Sequence, residues 1–437
     1  GALVAFEDEA VGVLAAEAGG SFDLCIASPG ISQFSAFYEA AAAVSAEVIS
    51  EVEFAWRESA ADSRWVAVTG TNGKTTACAL AAHVLAGAGL AAAAVGNIGD
   101  PCIEAVAAGR TDVYVAEVSS YQLASTARFA PNVAVLLNIT PDHLHWHRSF
   151  EAYRDAKLKL LANLPGVPGA VAVLDATNDV VRAEVRRLRA LDAGERGFSY
   201  VPLGTAAGLT GDMRAACGSD NAAFLDADGT LRVALNGAEH AAARVEELQI
   251  KGEHNASNAL AVAAAALALG VHESDVAEGL RTFAPLEHRI EPCGSVAGVR
   301  CYNDSKATNV DATLKALAAF PEARPVVLLG GDDKGTDLAP LVEAAHAHAG
   351  AVVCFGDAGE RFAAAFEAAD AQAPAGFAAA RAAHLADAFD AALALASAGD
   401  VVLLSPACAS FDEFGSFEER GAAFKTLVAD AASALGA

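Results

Sequence analysis

The chain has 437 residues, enough for about three domains at ordinary domain size. With 54% hydrophobic and 19% charged residues it has ample material for packed cores, and disorder is excluded as its main state. Its net charge of −26 argues against a general nucleic-acid binder and against an anionic membrane surface as partner. The longest apolar run, 259–270, falls far short of the roughly 20 residues that a bilayer requires. The acidic start GALVAFEDEA has no basic region of a secretory signal. The eight cysteines form no CxxC pair, which suits free thiols in a reducing cytoplasm.

In chain order, apolar runs alternate with helical stretches, the pattern of α/β units around mostly parallel sheets. FDLCIAS (22–28) reads as a strand ending in the turn Pro29-Gly30, within a unit 1–57 that looks too short for a full sheet. WVAVT (65–69) reads as a strand running through a glycine turn into an alanine-rich helix that ends near Gly87 or Gly89. VYVAEVSS (113–120) and VAVLLNIT (133–140) are two further buried strands, and a helix is expected from about Glu151 to Ala162. The stretch 190–245 looks antiparallel or irregular, 256–269 is a helix stopped by Gly270, and a domain boundary is expected near Pro292. Beyond it come VRCYND, VVLLGG, AVVCFG and VVLLS as strands with helices between them, and a last helix from about Glu418. The expected architecture is therefore α/β, with units 1–57, 58–291 and 292–437.

The sharpest local signal is Gly70-Thr71-Asn72-Gly73-Lys74-Thr75-Thr76, between a strand and a helix. Glycines let backbone N–H groups turn toward an anion, and the helix N-terminus adds partial positive charge. Lys74 can pair with β- and γ-phosphates and the Thr75 hydroxyl can ligate Mg²⁺, although Val68 stands where the general GxxxxGK[ST] pattern has its first glycine. Glu117, at the C-terminal end of a strand, could hold Mg²⁺, position a reacting group, or be a solvated strand-end acid. His143, His145 and His147 alternate after the next strand. Zinc lacks a fourth ligand nearby, so a Mg²⁺ site or a hydrogen bond for one histidine is more economical, with the others satisfied at the surface or in the loop. Lys157 reads on composition as solvent-facing. His254-Asn255-Ala256-Ser257-Asn258 opens a helix, where asparagine could simply be an N-cap. His288-Arg289 lies in the boundary loop, where a fixed cation could reach a phosphate. Three polar loops follow strands of the last unit: Asn303 to Asn309, Gly330 to Lys334 and Ser405 to Asp412. In one sheet they would converge on one crevice suited to an anionic small substrate.

GTNGKTT, GNIG (96–99), EVSSYQL (117–123), DHLHWH, AYRDAK, HNASN, EHR, NDSKATN, GGDDK and SPACASFDEF occur in this order. The chain resembles the Mur ligases of peptidoglycan synthesis over most of its length, from about Ser28, and within them the branch that joins D-glutamate to UDP-N-acetylmuramoyl-L-alanine. The resemblance implies three domains: an N-terminal Rossmann-like unit for the uridine diphosphate, a central P-loop ATPase and a C-terminal Rossmann-like domain. It implies an ATP-dependent, ADP-forming reaction through an acyl phosphate, with two Mg²⁺ ions, in a cytoplasmic monomer. It assigns Lys74, Glu117, His143 and a carbamylated Lys157 to catalysis, with Thr75, Glu117, His143 and Lys157 serving the metal. Residues 70–76, Asn258, Arg289 and Asp304 would bind ATP. Ser28 and Asn97 would contact the muramoyl nucleotide, and Lys306, Thr308, Lys334, Ser410, Phe411 and Phe417 would seat D-glutamate. Only 27 residues precede Ser28, and the family's first strand and glycine-rich turn are not among them, so a weakly held uridine end is expected. Two alternatives stay open: a folylpolyglutamate synthase-like ligase, against which NDSKATN and SPACASFDEF speak, and an inactive nucleotide-binding relative.

Overall fold

The structure is a computed structural model, and it describes residues 10–17, 19–204, 219–321, 323–333, 335–369, 371 and 373–435. The chain divides into two compact units, one of 1–248 with 255–283, the other of 249–254 with 284–437.

In the first unit, β1 (Cys25–Ala27) and β2 (Val48–Ser50) form a small parallel sheet, Cys25 opposite Val48. The main sheet holds β3 (Arg64–Thr69), β4 (Ala92–Gly96), β5 (Val113–Glu117), β6 (Val133–Leu136), β7 (Val171–Asp175), β8 (Ser199–Gly204), β9 (Ala222–Leu225), β10 (Thr230–Leu235) and β11 (Ala238–Arg244). Among the described residues its order is β11-β10-β9-β8-β7-β6-β3-β5-β4. Pairing is parallel from β4 to β9 and antiparallel over β9, β10 and β11. The continuous apolar runs follow from burial: β5 and β6 are buried at every residue, as expected of interior strands of a parallel sheet. The antiparallel expectation for 190–245 holds only for its second half, because β8 pairs parallel with β7. Residues 205–218 of that stretch lie outside the described residues.

The second unit has one sheet in the order β12-β13-β17-β14-β15-β16, with β12 (Glu291–Val296), β13 (Val299–Asn303), β14 (Val326–Gly330), β15 (Ala351–Phe355), β16 (Ala378–Arg381) and β17 (Val401–Ala407). β12 makes an antiparallel hairpin with β13; the other pairings are parallel. Neither edge strand was legible in the sequence, because EPCGSV and AAAR are short and half-exposed. Leu328, Val353, Leu404 and Phe389 pack on one face of this sheet and Val352, Leu341, Phe362 and Leu403 on the other, so both faces are covered. Strands β13, β17 and β14 are neighbours, and their C-terminal loops therefore lie side by side.

Candidate active site

The phosphate loop is built as its residue types require. β3 ends at Thr69 and the helix Lys74–Gly87 begins behind Gly73, whose φ of 88° is open to glycine at little cost. A Cβ there would stand 2.6 Å from Asn258 Oδ1, so loop and asparagine are in direct apposition. Lys74 Nζ folds back onto the loop, donating to Gly70 O at 2.9 Å and Thr71 O at 3.0 Å. Thr75 is half-buried and Thr76 buried in the helix's first turn. Asn138, just beyond β6, was not singled out in the sequence, yet its amide brackets one loop residue. Its Oδ1 accepts from Asn72 N at 2.8 Å and its Nδ2 donates to Asn72 O at 3.0 Å. Thr71 is held as firmly: its Oγ1 lies 2.8 Å from the Tyr153 hydroxyl and accepts from Thr140 N at 3.0 Å.

Glu117 stands beside that loop's strand, in register with Val68, and is 2% exposed. Its Oε1 accepts from Asn97 Nδ2 at 2.9 Å, and its Oε2 is buried with no hydrogen-bond partner. A buried carboxylate oxygen left unpaired is costly, and a cation is the partner that its chemistry asks for. The residues thus fit a divalent metal. Asn97 itself is surface-exposed, as is Ser28, which accepts from Ile31 N in the turn after β1.

Lys157 corrects its sequence reading. It is 2% exposed, not solvent-facing, and Nζ donates to Gly70 O at 2.7 Å. Burial, and secondarily the Lys74 charge, push its pKa well below the lysine range. The side chain is held against the phosphate loop with its charged form disfavoured. The sequence pattern missed this because the helix Phe150–Leu158 buries Tyr153, Ala156 and Lys157 on one stripe, and a lysine gives no apolar signal.

The three histidines part company. His143 and His145 lie toward solvent, with ring centroids 6.4 Å apart. His147 is fully buried, so it is not a surface histidine, and it takes a hydrogen-bond role, sharing a bond of 2.9 Å with Ser120 Oγ. Burial, then the neighbouring His143 and Lys157, pull its pKa down to about 4, so it is neutral. The three do not gather into a metal cage; among the described residues only Glu287, His288 and Glu291 form such a group. His143 adopts a positive φ of 53° at the start of its helix turn, and its N–H donates to Asp142 Oδ1. The asparagine N-cap at HNASN is likewise replaced: the helix starts at Glu253, so Asn255 and Asn258 lie inside it, buried.

In the second unit the loop after β13 brings Asp304, Lys306 and Thr308 together. Asp304 is buried, accepts from Ser405 Oγ at 2.8 Å and from Ile290 N at 3.2 Å, and burial pushes its pKa up to about 7 against the pull of Arg289. Lys306 Nζ lies 3.7 Å from the centre of the Phe417 ring. Ser410 is 2% exposed at the end of the β17 loop, whereas Phe411 is 71% exposed. The β14 loop is locked to this pair, since Asp332 and Ala409 exchange two backbone hydrogen bonds of 3.0 Å. Lys334 lies outside the described residues.

A strand-fed phosphate loop, a buried carboxylate with a free oxygen beside it, and a second α/β unit with a cationic, hydroxyl-rich loop cluster define an ATP-dependent ligase that forms amide bonds. Residues 68–266 match the Mur ligase middle domain and residues 288–408 the Mur ligase glutamate ligase domain. The chain is 38% identical over 410 residues to the UDP-N-acetylmuramoylalanine–D-glutamate ligase of Alkaliphilus metalliredigens, covering 94% of this chain and 84% of that protein. It is 39% identical over 419 residues to the ligase of the same name from Pelotomaculum thermopropionicum, with 93% and 84% covered. Among solved structures, MurF from Acinetobacter baumannii superposes with a TM-score of 0.61 at 18% identity, over 94% of this chain and 90% of that one. Folylpolyglutamate synthase of Mycobacterium tuberculosis, complexed with ADP, gives 0.60 at 17%, over 86% and 93%. The chain belongs to the Mur ligase family.

Proposed function

We propose that the protein couples ATP hydrolysis to the addition of D-glutamate to UDP-N-acetylmuramoyl-L-alanine, in the cytosol and as a monomer. The observation that carries this reading is the pairing of the phosphate loop with Glu117, whose unpartnered Oε2 lies on the neighbouring strand. Sequence relatives at 38% and 39% identity carry that activity in their names, whereas folylpolyglutamate synthase shares only the fold.

Residues 58–291 would bind ATP, 292–437 the amino acid, and 1–57 part of the uridine diphosphate. Backbone N–H groups of 70–76 and Lys74 cradle the polyphosphate, with Asn258, Arg289 and Asp304 contacting the rest of the nucleotide. Thr75, Glu117, His143 and a carbamylated Lys157 would hold magnesium, which when bound neutralises charge between a carboxylate and a polyphosphate that otherwise repel. The burial that lowers the pKa of Lys157 supports the carbamate, because only the free amine captures CO₂.

The muramoyl-alanine carboxylate takes the γ-phosphoryl group and ADP leaves. The amine of D-glutamate then attacks the acyl carbon, and the tetrahedral adduct expels phosphate with formation of the amide. Ser28 and Asn97 face the nucleotide substrate in this reading. Lys306, Thr308 and Ser410 take the D-glutamate carboxylates, with Lys334, Phe411 and Phe417 beside them. The test is isotopic: with ¹⁸O in the substrate carboxylate, one labelled oxygen is expected in the released phosphate. Unlabelled phosphate accompanying product would exclude the acyl phosphate.

A further inference from the structure

Arg420 lies near the start of the helix Phe417–Leu435, is 1% exposed, and has no assigned role. Its guanidinium is aimed at backbone. Nε donates to Ser305 Oγ at 3.0 Å, Nη1 to Ala409 O at 2.9 Å, and Nη2 to Ser305 O at 2.9 Å and Cys408 O at 3.0 Å. Among the described residues no carboxylate forms an ion pair with it, and burial pulls its pKa down to about 10. An isolated buried charge is an expensive way to hold a fold together. What it supplies instead is a rigid planar fork that reaches two chain segments at fixed spacing.

Those segments are the two loops that carry the amino-acid pocket. Ser305 directly precedes Lys306, and Cys408 and Ala409 directly precede Ser410. Ser305 Oγ passes the constraint on, donating to Phe417 O at 2.8 Å, and the Phe417 ring receives Lys306 Nζ. The β14 loop closes in from the remaining side: a Cβ on Gly331 would stand 2.3 Å from Ala409 O and 3.0 Å from Arg420 Nη1. Helix start, fork and three loops therefore form one braced unit.

We infer that Arg420 is the positioning residue of the amino-acid pocket, its buried fork holding the loops 303–309 and 405–412 at the separation at which Lys306, Thr308 and Ser410 together accept an amino-acid substrate's carboxylates. The inference rests on the function proposed above. A residue that only stabilised the unit would, when changed, lower the amount of active enzyme. A positioning residue changes the affinity for one substrate.

The full-length chain is compared with Arg420→Met, Arg420→Lys and Ser305→Ala in steady-state kinetics with D-glutamate and ATP varied separately. Loss of several charge-assisted hydrogen bonds predicts a rise of about 10- to 100-fold in the D-glutamate KM of Arg420→Met, with the ATP KM within about threefold of wild type. Arg420→Lys keeps the charge but not the fork, and recovers only part of the loss. Ser305→Ala, which removes one acceptor and the link to Phe417, raises the D-glutamate KM about three- to tenfold. An unchanged D-glutamate KM with reduced turnover, or full recovery by lysine, would overturn the inference. If Arg420→Met does not fold, Ser305→Ala decides by the same criterion. If wild type ignores D-glutamate but uses another amino acid, the functional reading fails and the KM comparison is made with that amino acid.

Discussion

Replacing Lys157 by methionine is expected to separate stability from activity. The wild-type side chain is 2% exposed, and its amine has a backbone carbonyl at 2.7 Å but, among the described residues, no carboxylate at ion-pair distance. Keeping this amine in the interior, by burying its charge or by giving up its proton, costs up to several kcal/mol, which methionine, of similar length, does not incur. Methionine removes one of two donors to the Gly70 carbonyl and leaves Lys74 Nζ on it at 2.9 Å, a loss of about 0.5–1.5 kcal/mol. The two terms oppose each other and the first is the larger, so urea unfolding at neutral pH should shift by about 2 kcal/mol in the direction of gain. Activity, measured as phosphate release, is expected to fall by at least about 10²-fold. The pH dependence carries a sign. Because the pKa of Lys157 is lowered in the fold, its contribution to stability is present above the ordinary lysine range and is lost as pH falls through the lowered value. In bicarbonate-free buffer wild type therefore gains on the variant as pH rises from 7 toward 10, over roughly the window between a lowered and an ordinary lysine pKa. Lys157→Ala leaves space for a small anion, so acetate should restore part of its activity, whereas methionine fills that space and is not rescued. A methionine variant that is fully active, or that loses more than about 4 kcal/mol, would refute the argument.

Three further outcomes are expected. Lys74→Ala should lose about 10²- to 10³-fold in turnover while its unfolding curve stays within about 1 kcal/mol of wild type. Asn138→Ala should raise the ATP KM by about tenfold, because the loop loses both bonds that fix Asn72; an unchanged value, measured by coupled ADP release, would show that the loop holds itself. Lys306→Ala should raise the D-glutamate KM by a factor of ten or more while leaving nucleotide-analogue binding to the phosphate loop, followed by fluorescence, within about twofold.

Much of this was legible in the sequence because the motifs sit where strands end. WVAVT before GTNGKTT, and NDSKATN and SPACASFDEF after apolar runs, announce both the sheets and the loops. Family resemblance added the order of the motifs, and with it the assignment of roles. What escaped was burial decided by tertiary packing. Lys157 and His147 lie in polar stretches, so neither shows any sign of being interior. Arg420, in FEERG at a helix start, reads as an ordinary surface arginine, and only the neighbouring loop carbonyls make it a brace. Asn138 was hidden for another reason: it lies within the strand-like run 133–140, and its bracket on Asn72 bridges 66 positions in sequence. The hairpin strand β12 contains Pro292 and Gly294 with a register shift between them, which masks the alternation of an edge strand.

The central claim, that this chain activates a muramoyl-alanine carboxylate and hands it to D-glutamate, is tested most directly by phosphate release across a panel of amino acids. Enzyme, ATP, Mg²⁺ and UDP-N-acetylmuramoyl-L-alanine are held constant, while D-glutamate, L-glutamate, L-alanine, L-lysine and meso-diaminopimelate are added in turn. Sustained release with D-glutamate alone, accompanied by a nucleotide product heavier by one glutamyl residue, is the predicted result. Equal release with L-alanine, or no response to D-glutamate, would contradict the account.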